Sequence, residues 1–146
     1  AEERCFRLSS REGHAPRVVL SQKDIRELQL AKGAMYAGAR ILQRALDVTD
    51  DDIAEIELAG AFGSYIRPES ALAIGLIPNV AVDRVRAIGN AARVGARLAL
   101  ISVEERAEAE WIAQTVRHQE LFASPDFFDE YMAAMRFPPI TSGSAS

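Results

Sequence analysis

Apolar positions along this chain switch between two spacings, and each switch marks an element. "RCFRLSS" and "PRVVL" are short apolar runs that predict two strands, with "REGHAP" as the turn between them. From Ser21 onward Ile25, Leu28, Ala31, Met35, Ala39, Leu42 and Leu46 recur at helical spacing. They predict one long amphipathic helix across "SQKDIRELQLAKGAMYAGARILQRALDV" with this stripe as its buried face. Ser21, with Asp24 three residues on, reads as a capping box. Gly33 and Gly38 inside the helix each cost about 1 kcal/mol against Ala, so each is expected to admit a close neighbour. "TDDDI" predicts a turn or short helical entry, with Asp50, Asp51 and Asp52 solvated. "IAEIELAGAFGSYI", residues 53–66, reads as a buried strand that runs into Gly60 and Gly63.

After it, "RPESALAIG" predicts a short helix with Pro68 near its first position and Gly75 as its stop. "LIPN" predicts a turn, and "VDRVRAIGN" a second strand that again ends in glycine. "AARVGARLALI" predicts a helix rich in small residues. "SVEERAEAEWIAQTVRHQELF" predicts a charged amphipathic helix with Ser102 as its N-cap, and "SPDFFDEYMAAMRF" a final short helix. "PPITSGSAS" reads as a disordered end. Residues 1–139 are expected to form the folded unit and residues 140–146 a tail. Strands alternating with helices predict the α/β class, a sheet flanked by helices.

Composition narrows the partners. The chain has 146 residues, enough for one packed domain or subdomain. Its formal net charge of -4 argues against nucleic acid, which needs a concentrated basic surface. No apolar run approaches the roughly 20 residues of a membrane span, and the start "AEERCFRLSS" lacks the apolar core of a signal peptide. Cys5, the one cysteine, reads as a reduced thiol on a strand, and His14 and His118 stand apart from metal-ligating partners. The first residue is Ala and the chain opens in a strand-like stretch, so a fragment of something longer, or a processed product, is expected; the expected location is the cytoplasm.

The candidate chemistry lies at the two strand ends, "LAGAFG" and "AIGNAARVGA". In α/β sheets ligands gather where strands end and helices begin. Familiar templates fail. "GAFGSY" is not G-x-G-x-x-G; "GNAARVGA" lacks the Lys and Ser/Thr of a P-loop; "AFGSYI" has one glycine too few for a nucleophile elbow. The residues alone leave two readings open: glycines for sharp corners, or glycines that let a flat ligand approach the backbone.

The order of motifs resembles the C-terminal half of the ASKHA superfamily (acetate and sugar kinases, the heat-shock chaperone ATPase, actin). More closely, "LSQKDIRELQLAKGAMYAGARILQ", "ELAGAFGSYI", "ALAIGLIPN", "IGNAARVGA" and "FFDEYMAAMRFPP" resemble the C-terminal domain of the reductive activators of corrinoid proteins. The resemblance covers residues 18–139. It implies an ATPase with an N-terminal 2Fe–2S ferredoxin domain. It implies that ATP binding or hydrolysis drives an uphill electron transfer from the cluster, returning a cobalt(II) corrinoid in a methyltransferase partner to cobalt(I). It further implies that Gly60, Ala61, Phe62 and Gly63 lie against adenosine, that Lys32 and Gly33 on the long helix flank the nucleotide, and that Gly89 and Asn90 head the second glycine turn. For Lys32 the competing reading is a surface lysine that snorkels; for Asn90 it is a helix cap. Glu27 and Gln29 turn to other faces.

Ser64, Arg67 and Arg93 depart from the residue types expected in relatives. Nothing in the chain resembles the phosphate-binding hairpins or the cluster cysteines. ATP and Mg²⁺ are therefore expected to be shared with a preceding subdomain, with the 2Fe–2S cluster outside this chain and the chain inactive alone. The corrinoid protein is the expected partner, and a homodimer is left open. Two alternatives stand beside this: a non-catalytic docking module using the acidic helix at residues 103–120 with Trp111, and part of an ASKHA small-molecule kinase.

Overall fold

The computed structural model describes residues 5–8 and 18–139. The predicted turn at "REGHAP", His14 and the tail at residues 140–146 lie outside them. Strands β1 (Cys5–Arg7) and β2 (Val19–Ser21) pair antiparallel, with Phe6 opposite Leu20. Ser21 then starts helix α1 (Gln22–Leu46) as the capping box anticipates. Its hydroxyl accepts from the Asp24 amide at 3.2 Å, and the Asp24 carboxylate accepts from the Ser21 amide at 2.8 Å. The helix ends at Asp47, in a left-handed conformation with φ 54°.

Strand β3 (Ile56–Ala59) leads directly into helix α2 (Gly60–Tyr65), then helix α3 (Pro68–Ala73). A 3-10 turn (Val82–Arg84) precedes strand β4 (Val85–Gly89), so the second strand is shorter than its alternation predicts. Arg84 is drawn out of the strand because its guanidinium donates to the carbonyls of Asp51 and Ile53, at 3.2 and 3.1 Å. β3 and β4 pair in parallel, Ile56 opposite Val85 and Ala59 opposite Gly89, with α2 and α3 as the crossover that a parallel pair requires. The α/β class holds; among the described residues the sheet consists of two separate pairs.

Two cores form. Leu58, Ala71, Leu76, Ile77 and Val85 pack around β3, α3 and β4. The predicted "LIPN" turn is thus part of the core. The second core joins α1 to the last helix, α6 (Phe127–Ala134), through Ala37, Ile41 and Phe127. This corrects the expected face of α1. Gly33, Ala37 and Ile41, spaced four apart, meet α6, whereas Leu28, Met35, Leu42 and Leu46 remain exposed. Small residues win because they let the helix axes approach: a Cβ on Gly33 would lie 3.1 Å from Met135 Cγ, and one on Gly38 3.2 Å from Leu121 Cδ1.

Helices α4 (Ala91–Ile101) and α5 (Val103–Thr115) are capped by Asn90 and Ser102 and have no buried residue. The charged helix stops at Thr115, short of the predicted Phe122, which instead follows in a 3-10 turn (Leu121–Ala123). With no face buried, α5 lacks the packing that would extend it. Asp50 is also corrected. Far from being a solvated turn residue, it accepts from Arg40 (3.1 Å), Gln43 (2.9 Å) and the Asn79 amide (3.2 Å), tying α1 to the loop before β4. Asp52 is exposed and caps the turn locally, accepting from the Thr49 amide at 2.8 Å.

Candidate functional site

Strands β3 and β4 end side by side, and each end turns on a glycine. Gly60 has φ +67° and Gly89 φ +63°, conformations that a Cβ disfavours. In both, among the described residues and apart from the chain neighbours, no atom lies within 4 Å of where a Cβ would stand. Gly63 is of another kind. A Cβ there would collide with the Leu58 carbonyl oxygen and stand 3.0 Å from the Gly89 amide nitrogen. The "GAFG" stretch therefore holds one glycine facing open space and one required by packing between α2 and the strand ends. Ala61 is exposed beside Gly60, and the backbone of Phe62 continues α2.

The helix starts at these turns are partly committed. Ser64 donates its hydroxyl to the Gly60 carbonyl at 3.0 Å. Asn90 accepts from the Arg93 amide at 2.9 Å, so its side chain caps α4. The first amides of α4 have no partner within the helix, as at any helix start. Next to the turns, Arg86 pairs with Glu55 and, at 3.1 Å, with Glu57, forming a charged cross-strand ladder on the exposed face of the pair.

Lys32 and Gly33 are not brought to this place. Gly33 lies under Tyr131 and Met135 of the α6 region. Lys32 is only 1% exposed, so it is no snorkelling surface lysine. Its ammonium donates to the carbonyls of Ala134 and, at 2.8 Å, Arg136, and sits 5.3 Å from the Phe137 ring centroid. The Ala134 carbonyl is unpaired at the negative end of α6 and the Arg136 carbonyl follows two residues beyond it; together they stabilise a buried cation. Burial pushes the Lys32 pKa down from the usual lysine range. Gln29, expected on another face, joins the same cap by donating to the Met135 carbonyl at 3.1 Å. At the other end of α6, Arg44 pairs with Asp126 at 3.2 Å and with Glu130.

A cavity of about 910 Å³ opens between the two cores, lined by Lys32, Tyr36, Leu72, Gly75, Asn79 and Phe137 among others. Tyr36 is partly buried there, and desolvation raises its pKa. None of the glycine-turn residues lines it. The sequence reading missed both this cavity and the Asp50 hub. The local signal was weak: a seam of small residues at Gly33 and Ala37 beside a lysine, and an aspartate after a helix.

Of the groups that the resemblance implies, the residues present fit one and not the other. At Gly60 and Gly89 the emptiness where a Cβ would stand is room for a flat ligand against bare backbone. A 2Fe–2S cluster does not fit this chain, whose single cysteine cannot supply its ligands. Among the described residues no group of three or more His, Cys, Asp or Glu side chains is placed to hold a metal.

Parallel strands ending on open glycine turns, each followed by a helix, define an α/β domain of the kind that gathers ligands at its strand ends. The chain belongs to the family described as the C-terminal domain of RACo, the ASKHA domain, which it matches over residues 2–144. It is 41% identical over 120 residues to the corrinoid activation enzyme RamQ of Eubacterium limosum, an alignment covering 82% of this chain and 20% of that protein. It is also similar to a solved structure described as a reductive activator for corrinoid, iron-sulfur protein, with TM-score 0.79 and 33% identity, over 86% of this chain and 20% of that one. The chain thus spans about a fifth of the length of these relatives. The resemblance read from its motifs is the family it belongs to.

Proposed function

We propose that residues 1–139 are the C-terminal nucleotide-binding subdomain of an ATP-dependent reductive activator, one that returns the cobalt(II) corrinoid of a methyltransferase system to cobalt(I). Two relatives named for corrinoid activation support this reading. The observation that carries the nucleotide part is the pair of positive-φ glycines, Gly60 and Gly89, on adjacent strands with open space where Cβ atoms would be. Adenosine would lie across residues 60–63 and 89, and bound ATP with Mg²⁺ would supply the energy of the reaction. This chain's own contribution is to bind and orient the adenosine end. The phosphate contacts and the 2Fe–2S centre belong to other parts of the full-length protein, whose partner is a corrinoid protein in the cytoplasm. No helix among the described residues is long and apolar enough to cross a membrane.

The test is a calorimetric titration of the full-length protein with ATP and Mg²⁺. Gly60→Val, which fills the open space but strains the backbone, is paired with Ala61→Trp, which crowds the same turn from an exposed helical position. Both are expected to weaken binding at least tenfold, the loss of about 1.4 kcal/mol. Unchanged affinity in Ala61→Trp with an intact fold would overturn the placement of the nucleotide.

A second reading rests on a separate observation. Val94, Leu98 and Ile101 of α4 and Trp111 of α5 are exposed on helices with no buried residue, the surface a docking module would use. Loss of partner binding in Trp111→Ser with nucleotide affinity retained would favour it.

A further inference from the structure

Two places beside the cavity join elements of the two cores. One is the Asp50 hub. The other is the segment after α6, residues 136–139. Its start is held from α1: the Lys32 ammonium takes the Ala134 and Arg136 carbonyls, and Gln29 takes that of Met135. Its far end crosses to the other core. Pro138 lies against Gly75, where a Cβ would stand 3.0 Å from Pro138 Cγ and 3.5 Å from Lys32 Nζ. Gly75, at φ +67°, ends the α3 turn, whose amides at Ile74, Gly75 and Leu76 bond back to Ser70, Leu72 and Ala71. Phe137 and Pro138 form part of the cavity wall, and residues 137–139 belong to no helix or strand. A segment held by side chains, not by a backbone ladder, can release without unfolding either core.

We infer that residues 136–139 are a strap across the cavity, latched by the buried Lys32 ammonium to α1 and by Pro138 to the end of α3, whose release opens the cavity while the Asp50 hub still ties the two cores together. This goes beyond the nucleotide reading and does not rest on it. Lys32 is thereby a positioning residue: it acts through the α6 carbonyls.

The experiment uses the full-length protein and two readouts. The first is the rate of tryptic cleavage after Arg136, followed by mass spectrometry. The second is hydrogen exchange at the amides of Ile74, Gly75 and Leu76. In Lys32→Met both are expected to rise about tenfold, since cleavage and exchange each follow the population of the open strap. Pro138→Gly removes only the far latch. It is expected to raise both readouts while the amides of α1 and α6 keep their protection, and it decides the matter should Lys32→Met fail to fold. Cleavage and exchange unchanged in Pro138→Gly would overturn the strap. So would faster cleavage in Lys32→Met with residues 74–76 still protected, because Lys32 would then be a helix cap and nothing more.

Discussion

Gly33 and Gly38 in α1 and Gly60 and Gly89 at the strand ends lack the same side chain for opposite reasons. In α1 the missing Cβ is occupied by a neighbour: Met135 and Tyr131 press on Gly33, and Leu121 on Gly38. At the strand ends no described atom beyond the glycine's chain neighbours lies within 4 Å of where the Cβ would be, and the backbone bends the way only glycine bends freely. The first pair buries helix against helix. The second leaves a surface bare. Gly63 sits in the second region but follows the first logic, since its hydrogen faces the Leu58 carbonyl. A glycine is informative about ligands only when its neighbours have been found wanting.

Substitutions can break this distinction, and Gly63→Ala should do most. The new Cβ meets rigid backbone at Leu58, so a loss of about 3 kcal/mol is expected in urea unfolding, the upper end for overpacking. Gly33→Val comes next, at about 2 kcal/mol: it meets Met135 at Cγ and the Tyr131 ring, with the Met135 amide behind them, and these can shift by a few tenths of an ångström, unlike the Leu58 backbone. Gly89→Ala is expected to lose about 1 to 2 kcal/mol from left-handed strain alone, with no steric clash. Its sharper signature is a fall in nucleotide affinity out of proportion to that loss. If Gly33→Val lowered nucleotide affinity as much as Gly89→Ala did, at equal stability, the two regions would not be distinct in function.

The smallest effect expected is on pH. Hydrogen bonds from the Ser21 backbone amide and then its hydroxyl hold the Asp24 carboxyl below its usual range. A depressed folded pKa means that the unfolded chain binds the proton more tightly. The cap's contribution is therefore present above the unfolded value and lost as pH falls through the folded one. Exchange in the first turn of α1 should rise as the solution is acidified through the carboxylate range. Asp24→Asn, which removes the titrating carboxyl, should flatten that rise. An identical acid profile in Asp24→Asn would remove the cap as its cause.

Much of the fold could be read from neighbours a few residues apart. The Ser21–Asp24 capping box, Pro68 at the start of α3, Gly75 at its end, and the caps at Asn90 and Ser102 all appear where the sequence places them. The paired glycine turns were legible as turns, and the ordered motifs as a family. The buried side of α1 was not legible. Its apolar stripe predicted one face, and α6 chose another because small residues permit closer packing than large apolar ones. The site residues divide in the same way: Gly60, Gly63 and Gly89 meet at the strand ends, while Lys32 and Gly33 serve α6.

Caps and turns depend on hydrogen bonds that close within four residues, so the local chain decides them whatever it folds against. Lys32 and its carbonyl acceptor in Ala134 are 102 residues apart, and Asp50 and the Asn79 amide 29 apart. No local pattern signals such partners. A lysine that alone would stay in water is buried because packing of α6 on α1 brings the carbonyls of a helix end to its ammonium, and only the assembled fold supplies them.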